Sequence, residues 1–200
     1  MSTAVNGDGG GETFIISQKK DWGEIVLGYE TCNQYVITEL NGAVLYYAAE
    51  IKGSFIFRSF LRAKRPFTVD VLDVNNNRVI SMSRPFCWWL STLTVYDDAG
   101  EKLGFVKQCC SLLQRKYIIL DRASNAVFEI TGPLWHQWIF TVKQNKTSVG
   151  TIVKKWAGLG SEALTDVDNF ALTLSSSLDE TEKKLIIGAV FLIDFVHFEK

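Results

Sequence analysis

The sequence predicts an antiparallel all-β domain, closed into a barrel around one apolar C-terminal helix. Three observations carry that prediction: short alternating apolar runs from Phe14 onward, five hairpin signals spaced along them, and a final segment that is apolar on every helical face. The chain has 200 residues, the length of one ordinary domain and ample to enclose a core. Apolar residues make up 47% and charged residues 22%, which excludes a disordered, solvating chain. Lys and Arg number 21 against 22 Asp and Glu, so no overall basic field exists to hold nucleic acid, and none is expected as a partner. Four cysteines without a CxxC spacing argue against a zinc ribbon and against a disulfide-stapled scaffold, so the chain reads as reduced and intracellular. Residues 1–12 are small, polar and Gly-rich, and read as a disordered tail without a secretion signal, followed by one domain over 13–200.

The strands follow from the turns. Runs 35–40 and 44–49 flank Asn41-Gly42, the strongest short hairpin signal in the chain. Runs 67–73 and 78–84 flank Asn75-Asn76-Asn77, and runs 93–97 and 102–107 flank Ala99-Gly100. Runs 116–121 and 126–130 flank Ser124-Asn125, and runs 139–143 and 148–154 flank Asn145-Lys146. Pro66, Pro85 and Pro133 fall between the runs, where they block no ladder.

The last segment departs from this alternation. Residues 185–198, within a helix expected over about 180–198, are apolar on every face except at Asp194 and His197. Asp179 and Glu180 precede them, favourable near a helix N-terminus. A helix carrying Leu185, Val190, Phe191, Ile193 and Asp194 needs enclosure, by protein or by lipid. Its apolar stretch rises roughly 21 Å at 1.5 Å per residue, short of a ~30 Å hydrocarbon core, which favours enclosure by the barrel over a membrane span.

Catalytic chemistry is not visible. The chain has two histidines, His136 and His197, and lacks HExxH, GxSxG, P-loop and GxGxxG patterns. Nothing assembles a nucleophile, a base and an orienting group, so the reading is of a protein that is not an enzyme. Asp194 is a site candidate as a carboxylate in an apolar helix; a hydrogen-bonded residue at a barrel mouth is the simpler reading. Asp166 and Asp168 stand at alternate positions, as in a calcium loop, but Ala171 and Ser177 occupy positions where that loop needs a glycine and a bidentate carboxylate. The same segment reads equally as a turn or a helix cap.

Several blocks then point to a known family. They are Arg65-Pro66-Phe67, Arg84-Pro85, the strands around Gly104, Thr131-Gly132-Pro133 and Trp156-x-Gly158. Two longer ones are Glu162-Ala163-x-Thr165-Asp166-x-Asp168-Asn169-Phe170 and Gly188-Ala189-x-Phe191-Leu192-Ile193-Asp194-Phe195. From about residue 29 to residue 200 the chain resembles the phospholipid scramblases. That resemblance implies a tubby-like fold, a twelve-stranded antiparallel barrel around a hydrophobic C-terminal helix. It also implies calcium-activated, ATP-independent, bidirectional movement of phospholipids between leaflets, at the cytoplasmic side of membranes and the plasma membrane foremost. Asp166 and Asp168 fall in the family's calcium segment, with calcium as the implied cofactor. A lipid- or protein-binding module without translocation is the alternative function.

The departures from the family shape the remaining expectations. Its palmitoylated cysteine cluster falls near 86–89, where Cys87 alone remains; a second Cys-rich stretch falls near 135–138, where none remains. The nuclear-import segment of some members aligns with 153–157, with its basic pattern partly kept. In the two cysteine-poor stretches stand Trp88, Trp89, Trp135 and Trp138, four of the six tryptophans. Tryptophan prefers the membrane–water interface, so these residues are expected to make a non-covalent membrane contact, with aromatic packing between strands as the alternative.

Overall fold

The computed structural model describes residues 11–19, 31–51, 64–135, 138–155 and 169–198. They form β1 (Glu12–Lys19), β2 (Thr31–Glu39), β3 (Val44–Ile51), β4 (Phe67–Asp73), β5 (Arg78–Arg84) and β6 (Thr92–Tyr96). There follow β7 (Lys102–Cys109), β8 (Gln114–Asp121), β9 (Ala126–Pro133), β10 (Ile139–Gln144), β11 (Thr147–Lys155) and β12 (Asn169–Leu174), and then the helix α1 (Glu180–His197). Each strand pairs antiparallel with its neighbours in sequence, and β1 closes the cylinder against β12. In that closing pair Ile16 lies opposite Phe170, while across the other edge of β1 it lies opposite Ile37. Closure leaves no free sheet edge. The closed barrel around the C-terminal helix expected from the sequence is observed, with the twelve strands that the resemblance implies, and all five hairpins form where the turn residues placed them. β1 opens at Glu12, one residue before the domain start read from composition.

Turn chemistry makes one end of the barrel compact. Gly42 and Gly100 adopt φ of +86° and +83°, conformations in which a Cβ is strained. Three hairpins share a second device, an aspartate at the end of the incoming strand. Asp73 accepts from the backbone N–H of Asn75 and Asn77, Asp97 from that of Glu101, and Asp121 from that of Asn125. Hydrogen bonds from the Asn77 backbone and side chain hold the Asp73 carboxyl below the usual range, and those from Asn125 do the same for Asp121.

Period-two alternation then turns one face of every strand inward. Phe67, Val69 and Val71 of β4, Tyr117 and Ile119 of β8, and Phe170, Leu172 and Leu174 of β12 are buried against α1. On the helix, all eleven residues from Leu185 to Phe195 are buried. Its apolar faces therefore meet protein all round, each large side chain contributing about 1.5–3 kcal/mol. Among the described residues no helix is long and apolar enough to cross a membrane. The N-terminus of α1 is closed by a capping box: Glu182 N–H donates to the Asp179 side chain, and Asp179 N–H to the Glu182 carboxylate.

The helix fits because of one small residue. A Cβ on Gly188 would lie 2.8 Å from Val95 Cγ2 and 3.6 Å from both Leu93 Cδ2 and Met82 Sδ, inside a wall that has no slack. Gly188→Val should therefore lower stability by about 2–3 kcal/mol through overpacking, read as a lower midpoint in urea. An unchanged midpoint would mean that the β5–β6 wall yields.

Candidate functional site

The two ends of the barrel differ in build. The connections at 40–43, 74–77, 97–101, 122–125 and 145–146 are tight turns, all at one end. The opposite end carries the connections 85–91 (the longest of these), 110–113, and the one that leaves β9 at Leu134 and Trp135; they follow one another around the rim because β5 to β10 are consecutive in the barrel. This loop-bearing end is also where α1 finishes, and most exposed large apolar side chains of the described residues gather there. Trp88, Trp89 and Trp135 are 66%, 86% and 77% exposed, and Phe86, Leu90, Leu112 and Leu113 are exposed beside them.

The loops that carry these side chains are pinned from beneath. Arg84, buried at the end of β5, donates to Ser91 Oγ at 3.3 Å and to the Arg65 carbonyl at 2.6 Å, and its guanidinium lies 4.7 Å from the Phe67 ring. Ser91 N–H donates to Gln108 Oε1, and Gln108 N–H returns a bond to the Ser91 carbonyl at 2.8 Å. The 85–91 loop is thus tied at both feet, with Trp88 beneath the Lys64 ammonium at 5.1 Å. Arg115 clamps the next loop, donating to the carbonyls of Pro133 and Leu134 while its guanidinium lies 3.8 Å from the Trp138 ring. Trp138 therefore differs from the other three tryptophans. It is half-buried, with Phe198 edge-on at 4.3 Å and His197 at 5.5 Å, and it joins the rim to the core.

Beneath the rim lies a layer of buried charge. Asp194 accepts a 2.9 Å hydrogen bond from the Tyr35 hydroxyl, and Lys154 Nζ stands 3.6 Å from its other oxygen. Glu50, fully buried, is gripped by both guanidinium nitrogens of Arg65 and accepts from Asn33 Nδ2 at 2.8 Å. The Arg65 guanidinium lies over Phe195, which stacks on Phe67 at 3.8 Å. Asp194 is thus a paired residue at the barrel mouth, the simpler of its two sequence readings. Leu185, Val190, Phe191 and Ile193 fill the core.

The remaining candidates separate. Cys87 is half-buried with Sγ 3.2 Å from Ser91 Oγ, whereas Cys110 is exposed on the neighbouring loop. Asp166, Asp168 and His136 lie outside the described residues. Asn169 to Leu174 are strand, paired to β1 and β11, with Ala171 and Leu172 buried. Ser177 therefore lies beyond the far end of β12, about 20 Å of strand away from Asn169. Paired strand over 169–174 does not fit the middle of a continuous twelve-residue chelating loop. Among the described residues no group of three or more His, Cys, Asp or Glu is placed to hold a metal.

One titratable contact sits at the end of α1. His197 Nε2 and the Tyr117 hydroxyl are 2.7 Å apart. Burial, and then the Arg115 charge, hold the imidazole pKa down to about 4, while burial raises that of Tyr117. As pH falls below the ordinary value of 6.5, the unfolded chain takes up this proton first. The stability contribution is complete above 6.5 and is lost toward pH 4. Between pH 7 and 5 the loss is about 2 kcal/mol. His197→Gln should flatten the acid side of the Tm profile over that window; an unaltered slope would show that other groups govern it.

A closed antiparallel barrel filled by its own C-terminal helix, with a pinned aromatic rim at the helix exit, defines the class of protein. Residues 11–200 match the Scramblase family. Phospholipid scramblase 2 of Bos taurus is 33% identical over 94% of this chain and 69% of its own length. Phospholipid scramblase family member 5 of Homo sapiens is 31% identical over 94% of this chain and 74% of its own length. Phospholipid scramblase 1 of Homo sapiens is 32% identical, again over 94% of this chain, and 63% of its own length. The crystal structure of an Arabidopsis thaliana protein superposes with a TM-score of 0.52 at 16% identity, covering 91% of this chain and 90% of that one. That likeness concerns the fold alone. The chain belongs to the scramblase family.

Proposed function

We propose that this protein binds the cytoplasmic surface of a cellular membrane, the plasma membrane foremost, and promotes ATP-independent, bidirectional movement of phospholipids between leaflets. The observation that carries this reading is the rim, where Trp88, Trp89 and Trp135 stand exposed on neighbouring loops. An indole ring belongs at the headgroup level of a bilayer, with its apolar body in the acyl boundary and its N–H toward water. Membership of the scramblase family supports lipid movement as the outcome. With α1 occupying the barrel interior, lipid movement follows from disturbance of the leaflet by the docked rim, where inserted aromatic side chains locally thin the bilayer. Cys87 supplies at most one acyl chain, and one chain gives only marginal, reversible anchoring, so the tryptophans do most of the holding.

Purified protein added to vesicles carrying a leaflet-quenchable lipid should accelerate lipid exchange over empty vesicles, with and without calcium. Trp88→Ser combined with Trp89→Ser should lower vesicle binding and exchange about tenfold while Tm stays within a few degrees, because both rings are exposed. Binding without any acceleration would leave a lipid-binding module that does not translocate.

A further inference from the structure

Leu112 and Leu113, at the tip of the connection between β7 and β8, are 89% and 88% exposed. The strands beneath are paired up to Cys109 opposite Lys116, so the turn projects from a fixed base. In barrel order this turn lies between the two tryptophan-bearing loops, placing three apolar tips on one rim. Two adjacent leucines held in water at full exposure signal a partner that supplies an apolar medium.

The charge on either side of the barrel identifies that medium. Segments 84–92, 107–116 and 131–139 contain not one Asp or Glu; of their cations Arg84 is buried and Lys116 is paired with Glu129, so the charge offered outward is that of Lys107 and half-buried Arg115. Lys107 is exposed just below the leucine turn, and Lys64 is exposed beside Trp88. At the opposite end the tight turns carry Asp73, Asp97, Asp98 and Asp121, with Glu39 and Glu180 close by. Leu40 and Val74 are exposed there too, but as single residues among these acids. Among the described residues, the loop end therefore sets exposed Lys64 and Lys107 beside its apolar tips, and the tight-turn end carries more acids than bases. Protruding apolar tips beside exposed lysines match a phospholipid surface bearing anionic headgroups: hydrocarbon receives the tips, and phosphates and carboxylates meet Lys64 and Lys107. The acidic end is turned away by the same field.

We propose that the barrel docks end-on into an anionic bilayer, with the Leu112–Leu113 turn as a principal insertion point and the acidic turns directed away. This rests on the membrane-surface reading above and deepens it to an orientation and a lipid class.

Flotation of the full chain with vesicles of phosphatidylcholine, with and without phosphatidylserine, tests it. The unaltered protein should bind the phosphatidylserine vesicles more tightly, and lose that preference in high salt. Leu112→Ser with Leu113→Ser should weaken binding about tenfold or more, with Tm unchanged. Lys107→Glu should weaken binding and reduce its salt dependence, a second readout that does not depend on the leucines. Leu40→Ser with Val74→Ser, at the opposite end, should leave binding as it was. If the leucine variant binds normally while Trp88→Ser with Trp89→Ser binds weakly, the proposed insertion is wrong although the membrane-surface reading stands. Equal binding to both vesicle types at all salt concentrations overturns the charge argument. Binding to neither overturns both readings and leaves the rim to a protein partner.

Discussion

The enclosure of α1 is the constraint on which the rest of the structure depends. A helix with leucine, isoleucine, valine and phenylalanine on every face has no side to offer water. An open sheet would cover only one of those faces. A closed cylinder covers all of them and at the same time removes the two edges that a sheet of this size would expose. The tolerance is narrow, as the missing Cβ at Gly188 shows, so the packing fixes the helix in one rotational setting. Asp194 follows from that setting. It is the single carboxylate on the buried stretch, it faces the barrel mouth, and Tyr35 and Lys154 meet it there. A buried carboxylate without such partners would cost several kcal/mol, so these two side chains are a requirement of the helix position.

That charged layer gives the barrel its division of labour. Below it the core is apolar and rigid. Above it, Arg84 ties the 85–91 loop through the Ser91 hydroxyl, and Arg115 ties the next through the backbone carbonyls of Pro133 and Leu134. Aromatic and aliphatic side chains can therefore be presented to the outside without contributing to the core. Exposed apolar groups on a rigid frame lose little conformational freedom on binding, which favours contact with a flat, fluid surface.

Most of the fold was legible because its signals are local. Asn41-Gly42, the asparagine run at 75–77 and Ala99-Gly100 each specify a turn, and the alternation beside each specifies a strand. The two strands that close the barrel carry no such signal. β1 and β12 pair with each other across most of the chain, Thr13 opposite Thr173, so no turn residue announces the pairing. The segment of β12 was therefore open to a reading as a loop or cap, although Phe170, Leu172 and Leu174 already alternate. The rim was partly legible. Trp88, Trp89 and Trp135 stood out by composition, while Trp138 looked the same in sequence and lies half-buried because Arg115 and Phe198 reach it. Leu112 and Leu113 have no Gly, Pro, Asn or Asp beside them, so no strong turn signal in the sequence marks them as standing outside the wall. Only the end of the β7–β8 ladder shows that they have left the wall.

The same packing opposes any arrangement in which α1 leaves the barrel for a bilayer. Withdrawing α1 to cross a bilayer would strip the wall of its partners and expose the inward side chains of β4, β8 and β12 together. It would also carry Asp194 into hydrocarbon without Tyr35 or Lys154, and the helix is too short to reach across undistorted lipid. The energetic loss falls on both the barrel and the helix, and no contact within the bilayer replaces the lost packing, because lipid tails are no better a partner than the leucines and valines left behind. The stable arrangement keeps the helix inside. On the membrane-surface reading proposed above, the apolar tips of the rim meet the near leaflet while the barrel interior stays filled by its own helix.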